Sequence, residues 1–515
     1  MNIAFIPIDN RPVCYTLPEQ VCAINSSINL FMPERKYLGS LTKYADVDKI
    51  FEWLEKIPQV DAIVMCLDTV AYGGLISSRR CPDTFDEIKN RVENLKSILE
   101  KKNAKIYAFS SIMRISNNNV NEEEKEYWDK WGKKIFDYSY QTHKLGTESC
   151  ISNIIPSEIL DDYLATRKRN FEINKLYLEY QKQGLFDTLV FSKDDCAEYG
   201  FNVQEAQVLE KLGGFIKTGA DEIPLTLLAR AVVKFFDAKM QRCKDAKSFT
   251  EPVAQSCHCE CERSNSVNSK VVGRDYCLDD ETSLKISPIF LAPEYKGLIS
   301  NYEDVSIEKS VKGQLELAGC KVCEPDEADI LLYVNNFEDH QGEIVMKVPT
   351  KPFSKKWQSP EKPYMIADVR YANGADNEFV KQLFEVGLGN NFYGYSAWNT
   401  SANSLGSLIC GAVVKYYGFK LQRCQDDNSK TVDRYYYPDN KNENFLKLQT
   451  IRFLDDWAYQ ANVRQELNSP DEKLVKEKMK PYEKMVFGLL GVAYNISYKF
   501  TWNRLFEVEI CILSN

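Results

Sequence analysis

Short apolar runs that alternate with amphipathic, helix-like stretches constrain this chain more than any other feature. Strands that alternate with helices at such a spacing predict parallel βα units. Because the runs are apolar throughout, they predict a sheet that is covered on both faces. We therefore expect an α/β protein whose N-terminal part is a (β/α) barrel or barrel-like. The predicted strands of that part lie at residues 3–8, 28–32, 62–67, 105–112, 189–193 and 215–218.

The same pattern divides the chain into four parts. Residues 1–239 form the barrel-like part, and further strand-like runs predict a second α/β part at 283–423 that completes the site. Between them, residues 240–282 are polar, lack periodicity and carry cysteines, which indicates a flexible insertion; a zinc site there is the alternative, although the cysteine spacing is not that of a standard finger. Residues 424–515 are predicted to be mainly helical.

Composition excludes several classes of partner. The formal net charge of −9 argues against nucleic acid and against an anionic membrane surface, since both require a basic face. No apolar stretch reaches the roughly 20 residues that span a bilayer, and the start of the chain lacks the basic region of a signal peptide. The 16 cysteines are scattered, which favours reduced thiols and a cytoplasmic location. The pattern does not predict an oligomeric state.

Histidine is scarce, and this limits the chemistry. Only His143, His258 and His340 are present, and none follows a strand-like run. Histidine-based triads and histidine-rich zinc sites are therefore not expected. Acid–base chemistry in this chain would have to use carboxylates.

Two acidic pairs follow predicted strands and are the candidate catalytic residues. They are Asp194 with Asp195, and Asp221 with Glu222. In parallel α/β folds the ligands lie beyond the carboxyl ends of the strands. Adjacent carboxylates raise the pKa of one member, which can then hold a proton for a leaving group. Such pairs serve glycoside hydrolysis, including the substrate-assisted kind.

Other polar and aromatic residues at strand ends are candidates for binding substrate. Tyr72 and Trp398 could stack on a sugar face or pack in the core, and the arginines could bind an anionic group or pair with an aspartate. Any one of these residues could instead cap a helix or close a turn. The set is Asp9, Arg11, Asp68, Tyr72, Arg79, Arg114, Asn373, Asp376, Trp398, Asn399 and Asn403.

These residues favour a carbohydrate-active hydrolase that uses paired carboxylates. Its partner would be a small-molecule or saccharide substrate, and the arginines leave open that this substrate is anionic. One alternative is a divalent-metal-dependent hydrolase, isomerase or phosphoryl-transfer enzyme, with the cation held by Asp9, Asp68 and Asp194. Another is a non-catalytic sugar-binding protein. No other cofactor is expected, because no glycine-rich phosphate loop follows the early strands.

A series of motifs runs along nearly the whole chain. The motifs are Asp9-Asn10-Arg11-Pro12, 68–75 with Ser78-Arg79, Ile112-Met113-Arg114, Asp194-Asp195 with Tyr199-Gly200, 219–222, 373–376, Trp398-Asn399-Thr400 with Asn403, and Asp455-Asp456-Trp457. Together they resemble a bacterial family known as domain of unknown function 4127. The resemblance implies one integrated protein and no assigned activity; the family usually has Glu where Asn10 stands here. More loosely, the strand that ends in paired aspartates and the late Trp398-Asn399 are similar to hexosaminidase-type barrels.

Overall fold

A computed structural model of the protein describes residues 1–194, 197–248, 283–425 and 442–513. The strands are β1 (Asn2–Ile6), β2 (Asn29–Phe31), β3 (Ala62–Cys66), β4 (Lys105–Ile112), β5 (Thr188–Lys193), β6 (Phe215–Thr218), β7 (Lys285–Phe290), β8 (Lys321–Val322), β9 (Ile330–Asn335), β10 (Gly342–Glu343), β11 (Tyr364–Asp368), β12 (Tyr371–Ala372), β13 (Phe392–Ser396), β14 (Asn495–Phe500) and β15 (Val508–Leu513).

Helices follow most of the strands, as expected for βα units. The helices are α1 (Thr16–Cys22), α2 (Val47–Lys56), α3 (Leu67–Tyr72), α4 (Ser77–Arg80), α5 (Phe85–Leu99), α6 (Trp128–Leu145), α7 (Ser157–Lys182), α8 (Phe201–Lys211), α9 (Ile223–Ser248), α10 (Ile307–Leu317), α11 (Asn377–Val386), α12 (Ser401–Gln425), α13 (Glu443–Arg452) and α14 (Glu472–Leu490). A π-helical segment, Phe453–Asn462, continues directly from α13.

The first sheet is parallel and has the strand order β2-β1-β3-β4-β5-β6. Every residue of β3 is buried, because helices cover both faces of the sheet. This confirms the prediction of parallel βα units with apolar strands. Local sequence fixes the helices: Thr84 and Glu87 form a capping box at the start of α5, whose buried side chains recur at helical spacing.

The predicted barrel is not confirmed, because this sheet is open. In a barrel of sequential βα units each strand pairs with the next, and the last strand pairs with the first. Here β1 lies between β2 and β3, so the order reverses at β1, and in the described ranges β2 and β6 each have a neighbour on one side alone. The sequence pattern cannot distinguish the two arrangements, since both consist of apolar parallel strands followed by helices.

The second sheet is also parallel, with the order β13-β11-β9-β7-β8. Listed from the other edge, this order is β8-β7-β9-β11-β13. If β7 is counted as the first strand, the order is 2-1-3-4-5, which is also the order of β2-β1-β3-β4-β5 in the first sheet. The order reverses between β1 and β3 in one sheet and between β7 and β9 in the other. Crevices at such reversal points, beyond the carboxyl ends of the strands, are where open α/β sheets bind ligands.

Helices α9 and α12 pack against each other and connect the two sheets. Their crossing is close at Gly406, where an added Cβ would lie 2.8 Å from the Thr226 hydroxyl and 3.0 Å from the Glu222 carbonyl oxygen. Each helix follows the last strand of its sheet, β6 or β13. The contact therefore brings the loops after these two strands together.

The C-terminal part combines helices with a hairpin. Helices α13 and α14 confirm the predicted helical character, and β14 and β15 pair as antiparallel strands in a region where the sequence predicts one strand. The hairpin returns to the N-terminal part, where Glu509 on β15 pairs with Arg35 at 2.6 Å. The predicted insertion begins inside α9, and its residues 249–282 lie outside the described residues.

Candidate active site

Arg11 lies at the centre of a buried ionic cluster beyond the end of β1. Its Nε donates to both oxygens of Asp9, at 3.0 and 2.9 Å, and its two terminal nitrogens donate to the carboxylate of Asp221. A longer bond of 3.4 Å reaches Glu507 from the C-terminal hairpin. Burial alone would lower the pKa of Arg11, but Asp221 and Asp9 raise it well above its ordinary value. The guanidinium therefore stays charged and holds three carboxylates around it.

The segment after β6 must cross the edge of the sheet to make this contact. Strand β6 is four positions from β1, which corresponds to about 19 Å at the usual strand spacing. Gly219 begins the crossing with a φ of 103°, a conformation that favours glycine. A side chain at this position would lie 3.3 Å from Ala402 and 3.5 Å from Asn403 of α12. Gly219 therefore permits both the turn and the close approach of the second sheet.

The two predicted acidic pairs have different surroundings. Asp194 follows β5 and its side chain is 23 % exposed, whereas Asp195 lies outside the described residues. Asp221 is bound to Arg11, and Glu222 turns into the core, where it accepts a bond from the Ser407 amide at 3.2 Å. Burial raises the pKa of Glu222 well above its ordinary value, and its second oxygen has no hydrogen-bond partner in the described structure. Glu222 is thus a core group, and Asp194 is the most accessible of the three described members.

Arg114 collects carboxylates beyond the end of β4. Its nitrogens lie 3.5 Å from Asp194, 2.9 Å from Glu123 and 3.0 Å from Glu124. Arg79 reaches the same Glu124 at 3.4 Å. The arginines predicted to bind substrate therefore pair with carboxylates of the protein itself, which is the alternative that the sequence left open.

Arg504, in the loop of the C-terminal hairpin, connects these two clusters. It donates to Glu123 at 2.7 Å and to both oxygens of Glu507, at 2.8 and 2.7 Å. Its guanidinium also lies over the rings of Trp502 and Phe506. We call the connected set the ionic network; its members are Asp9, Arg11, Arg79, Arg114, Glu123, Glu124, Asp194, Asp221, Arg504 and Glu507.

Four members of the ionic network are absent from the predicted site. Glu123 and Glu124 belong to an acidic run that reads as a solvated surface helix, yet Glu124 is buried and the helix begins only at Trp128. Arg504 and Glu507 lie in a loop that carries no motif. The sequence offers a weak signal for Glu124, namely its position ten residues after Arg114, with which it could form an ion pair.

Two loops of the second sheet lie beside this network. Asn373 and Asn399 both have positive φ, 61° and 58°, and the Asn373 amide donates to the Asn399 carbonyl at 2.9 Å. The Asn373 side chain donates to Glu343 at 2.6 Å. Asparagine tolerates this backbone conformation better than most residues. Asn403 is buried against Gly219, so it contacts the first sheet and is not free to bind a ligand.

The aromatic residues predicted to stack on a sugar are both buried. Trp398 is 3 % exposed and packs edge-on against Phe506 at 6.1 Å. Tyr72, also 3 % exposed, ends α3 and lies under the guanidinium of Arg169. The rings of Trp502 and Phe506 are partly exposed instead. The aromatic surface of the site thus comes from the hairpin.

Asp68 and Asp376 stand in the interior. Asp68 accepts a bond from the Ser111 amide at 2.8 Å, and burial raises its pKa to about 6. Asp376 caps α11 by accepting from the Glu378 amide, and it lies 3.4 Å from Arg370. A helix cap accounts for Asp376 without a ligand.

The π-helical segment places a third acidic pair next to the loop that carries Trp398. Asp456 is fully buried; it accepts a bond from the Ala397 amide at 2.7 Å and pairs with Arg452. Asp455 is partly exposed, and burial, followed by the charge of Asp456, raises its pKa to about 7. Segments of π-helix are rare and are often found at functional sites.

The residues of the site lie within one family model, described as "Protein of unknown function (DUF4127)", which matches residues 3–511. The chain belongs to this family. The DUF4127 match includes every member of the ionic network, from Asp9 to Glu507, and thus confirms the resemblance seen in the motifs. The comparisons with curated proteins and with solved structures give no match.

The carboxylates of this DUF4127 protein are not arranged as metal ligands where they are described. Within the four described ranges, no three His, Cys, Asp or Glu side chains form a group that could hold a metal ion. Asp9 faces Arg11, and Asp68 accepts a bond from a backbone amide. No helix in those ranges has the length and apolarity needed to cross a membrane.

Proposed function

We propose that the protein is a carbohydrate-active hydrolase whose substrate lies against the ionic network, beyond the carboxyl ends of both sheets. The observation that supports this most is that Asp194 and Glu123 share the guanidinium of Arg114. This sharing limits the separation of the two carboxylates to about 9 Å at most, which permits the separations of acid pairs in glycoside hydrolases. Both side chains are 23 % exposed, so a substrate could reach them.

The two carboxylates would have different roles. Burial alone would raise the pKa of Glu123, but Arg114, Arg79 and Arg504 lower it well below its ordinary value. Glu123 therefore stays ionised and suits the group that stabilises positive charge on the sugar. We assign the acid that protonates the leaving oxygen to Asp194 or its neighbour Asp195, the pair that the sequence predicts.

The surroundings of the pair suit a saccharide. Trp502 and Phe506 present partly exposed rings, and Asn373 and Asn399 add amide groups that can bond sugar hydroxyls. We also propose that the protein acts in a reducing, cytoplasmic compartment, which is supported by nine cysteines that are free thiols, most of them buried.

A non-catalytic sugar-binding protein remains the second candidate. It is favoured by the saturation of Asp9, Asp221 and Glu507 with arginine bonds, since a carboxylate that is fully bonded is less free to transfer a proton. The divalent-metal enzyme is a further alternative, which a chelator tests.

Hydrolysis of a panel of aryl glycosides, with and without a chelator, tests the proposal. We expect turnover that a chelator does not change and that falls at least about 100-fold in Asp194→Asn, Asp195→Asn and Glu123→Gln. Glu52→Gln is the matched control, because Glu52 is a half-exposed carboxylate paired with Lys49 on α2, and it should keep full activity. Full activity in all three site variants would refute the assignment. Saturable binding without turnover would favour the sugar-binding protein, and activity lost to the chelator would favour the metal enzyme.

A further inference from the structure

Arg464 differs from the arginines of the ionic network because no carboxylate in the described ranges forms an ion pair with it. Arg11, Arg79, Arg114 and Arg504 each lie within hydrogen-bond or ion-pair distance of at least one carboxylate. Within the described ranges, no carboxylate lies within 4.0 Å of the Arg464 guanidinium. The guanidinium makes one hydrogen bond to that part of the chain, from a terminal nitrogen to the Gln460 side-chain oxygen at 2.9 Å. A guanidinium has five N–H donors, so most of its capacity is unused by that part of the chain.

The end of the π-helical segment fixes the position of the Arg464 side chain. Gln460 lies in that segment, and its amide nitrogen donates to Asp455 at 3.2 Å and to the Phe506 carbonyl at 3.2 Å, which orients its oxygen toward Arg464. The Arg464 guanidinium also lies over the ring of Phe506 at 5.2 Å. The side chain is partly exposed. A fixed, partly exposed and unneutralised guanidinium is suited to binding an anion.

The nearest negative charges do not occupy this donor. Burial lowers the pKa of Arg464, and the charges that oppose this shift include Glu507, Glu343 and Asp455. Glu507 is bonded to Arg504 and Glu343 accepts a bond from Asn373, so both are engaged elsewhere. The pKa of Asp455 is raised to about 7, first by burial and then by Asp456, so Asp455 is neutral for part of the time near neutral pH.

We propose that Arg464 binds the carboxylate of an acidic sugar, so that the substrate class is a saccharide with a uronic acid unit. A single planar guanidinium matches one carboxylate through two parallel bonds. Three carboxylates in its surroundings make the more highly charged phosphate a poorer fit, since the site offers one unneutralised positive charge. Asn373 lies near the same site, because its side chain donates to Glu343 and Glu343 is one of the charges that act on Arg464. This inference rests on the proposed function, which it narrows to acidic saccharides.

Calorimetric titration of the full chain with D-glucuronate, D-glucose and inorganic phosphate tests the inference. We expect glucuronate to bind at least about tenfold more tightly than glucose or phosphate, since a charged hydrogen-bond pair contributes about that much. Arg464→Ala should abolish this preference, and Arg464→Lys, which keeps the charge but loses the fork, should weaken glucuronate binding several-fold. The control is Arg242→Ala, an exposed arginine on α9, which should leave binding unchanged.

Several results would overturn the inference. The protein could bind none of the probes, bind glucose as tightly as glucuronate, or bind phosphate more tightly than glucuronate. Arg464→Ala could also bind glucuronate as tightly as the unmodified protein while showing a normal unfolding transition. If Arg464→Ala does not fold, Arg464→Lys decides the outcome, because it retains the charge. The three site variants separate the two proposals. If Asp194→Asn, Asp195→Asn and Glu123→Gln all keep full turnover while glucuronate binding still depends on Arg464, the role of Arg464 is supported and the catalytic assignment is refuted.

Discussion

Arg11 and Asp221 are joined by two hydrogen bonds, of 3.2 and 2.5 Å, although 210 residues separate them in the chain. The bonds connect the end of β1 with the segment that crosses back from β6. The first sheet is open, but the segments that follow its first and last strands in the chain, β1 and β6, are thus joined by a side-chain ion pair. The stability of the protein and the shape of its site depend on the same guanidinium.

Replacing Arg11 by Leu should destabilise the protein strongly. The substitution leaves the buried carboxylates of Asp9 and Asp221 without their partner, and an uncompensated buried charge costs about 3–5 kcal/mol. Urea unfolding followed by circular dichroism measures this loss. Lys49→Ala is the control, since it removes a half-exposed ion pair with Glu52 and should cost less than about 1 kcal/mol. Equal effects of the two substitutions would contradict the central role of Arg11.

Gly219→Ala should cost about 1–3 kcal/mol, because its φ of 103° is unfavourable for any side chain and a Cβ would press on α12. The matched control is Gly297→Ala, where no such φ applies and no atom lies within 4 Å of the added carbon. That control should change the free energy of unfolding by less than about 0.5 kcal/mol. Thermal or urea unfolding of both variants checks the difference, and a Gly219→Ala variant as stable as the control would refute the close approach.

Asp68 should make stability fall as the pH rises toward neutrality. Burial raises its pKa in the folded protein to about 6, so its favourable contribution is complete below the pKa of the unfolded chain and is lost as the pH passes through 6. Asp68→Asn removes this dependence. The stability of the variant relative to the unmodified protein should therefore increase by up to about 3 kcal/mol between about pH 4 and about pH 7.5. A pH-independent difference in urea unfolding would refute a raised pKa.

Trp502→Ala should weaken the binding of sugars about tenfold and leave the chemical step of bound substrate less affected. Trp502 offers a partly exposed ring that can stack on a sugar, and it has no acidic group that could transfer a proton in the chemical step. Trp502→Phe, which keeps a ring, should restore most of the affinity. Trp53→Ala on α2 serves as the control for loss of a partly exposed tryptophan away from the site. A greater loss in kcat than in affinity would contradict a binding role.

The elements of the fold could be predicted largely from local sequence. The strands 105–112 and 215–218 have the predicted bounds, and the other predicted strands differ by one or two residues at their ends. Local patterns carry this information because burial on both faces requires continuous apolar runs. The order of the strands is set by contacts between distant parts of the chain, which explains why the sequence does not distinguish an open sheet from a barrel.

The members of the ionic network could be predicted in part, for a related reason. Strand ends indicate where polar residues converge, and Arg11, Asp194 and Asp221 follow such ends and are members of the network. The sequence could not show which residues neutralise these three side chains, since Glu507 and Arg504 lie almost at the other end of the chain. Tyr72 also follows a strand, but a short helix turns it into the core.

The bond between Arg11 and Glu507 joins residues that are 496 positions apart. During synthesis on the ribosome, Arg11 therefore emerges long before the carboxylate that completes its surroundings. Contacts of such separation form slowly, since the loop between them must close first. Asp9 and Asp221 can pair with Arg11 earlier, so the contact with the C-terminal hairpin is the last part of the cluster to form, when translation is almost finished.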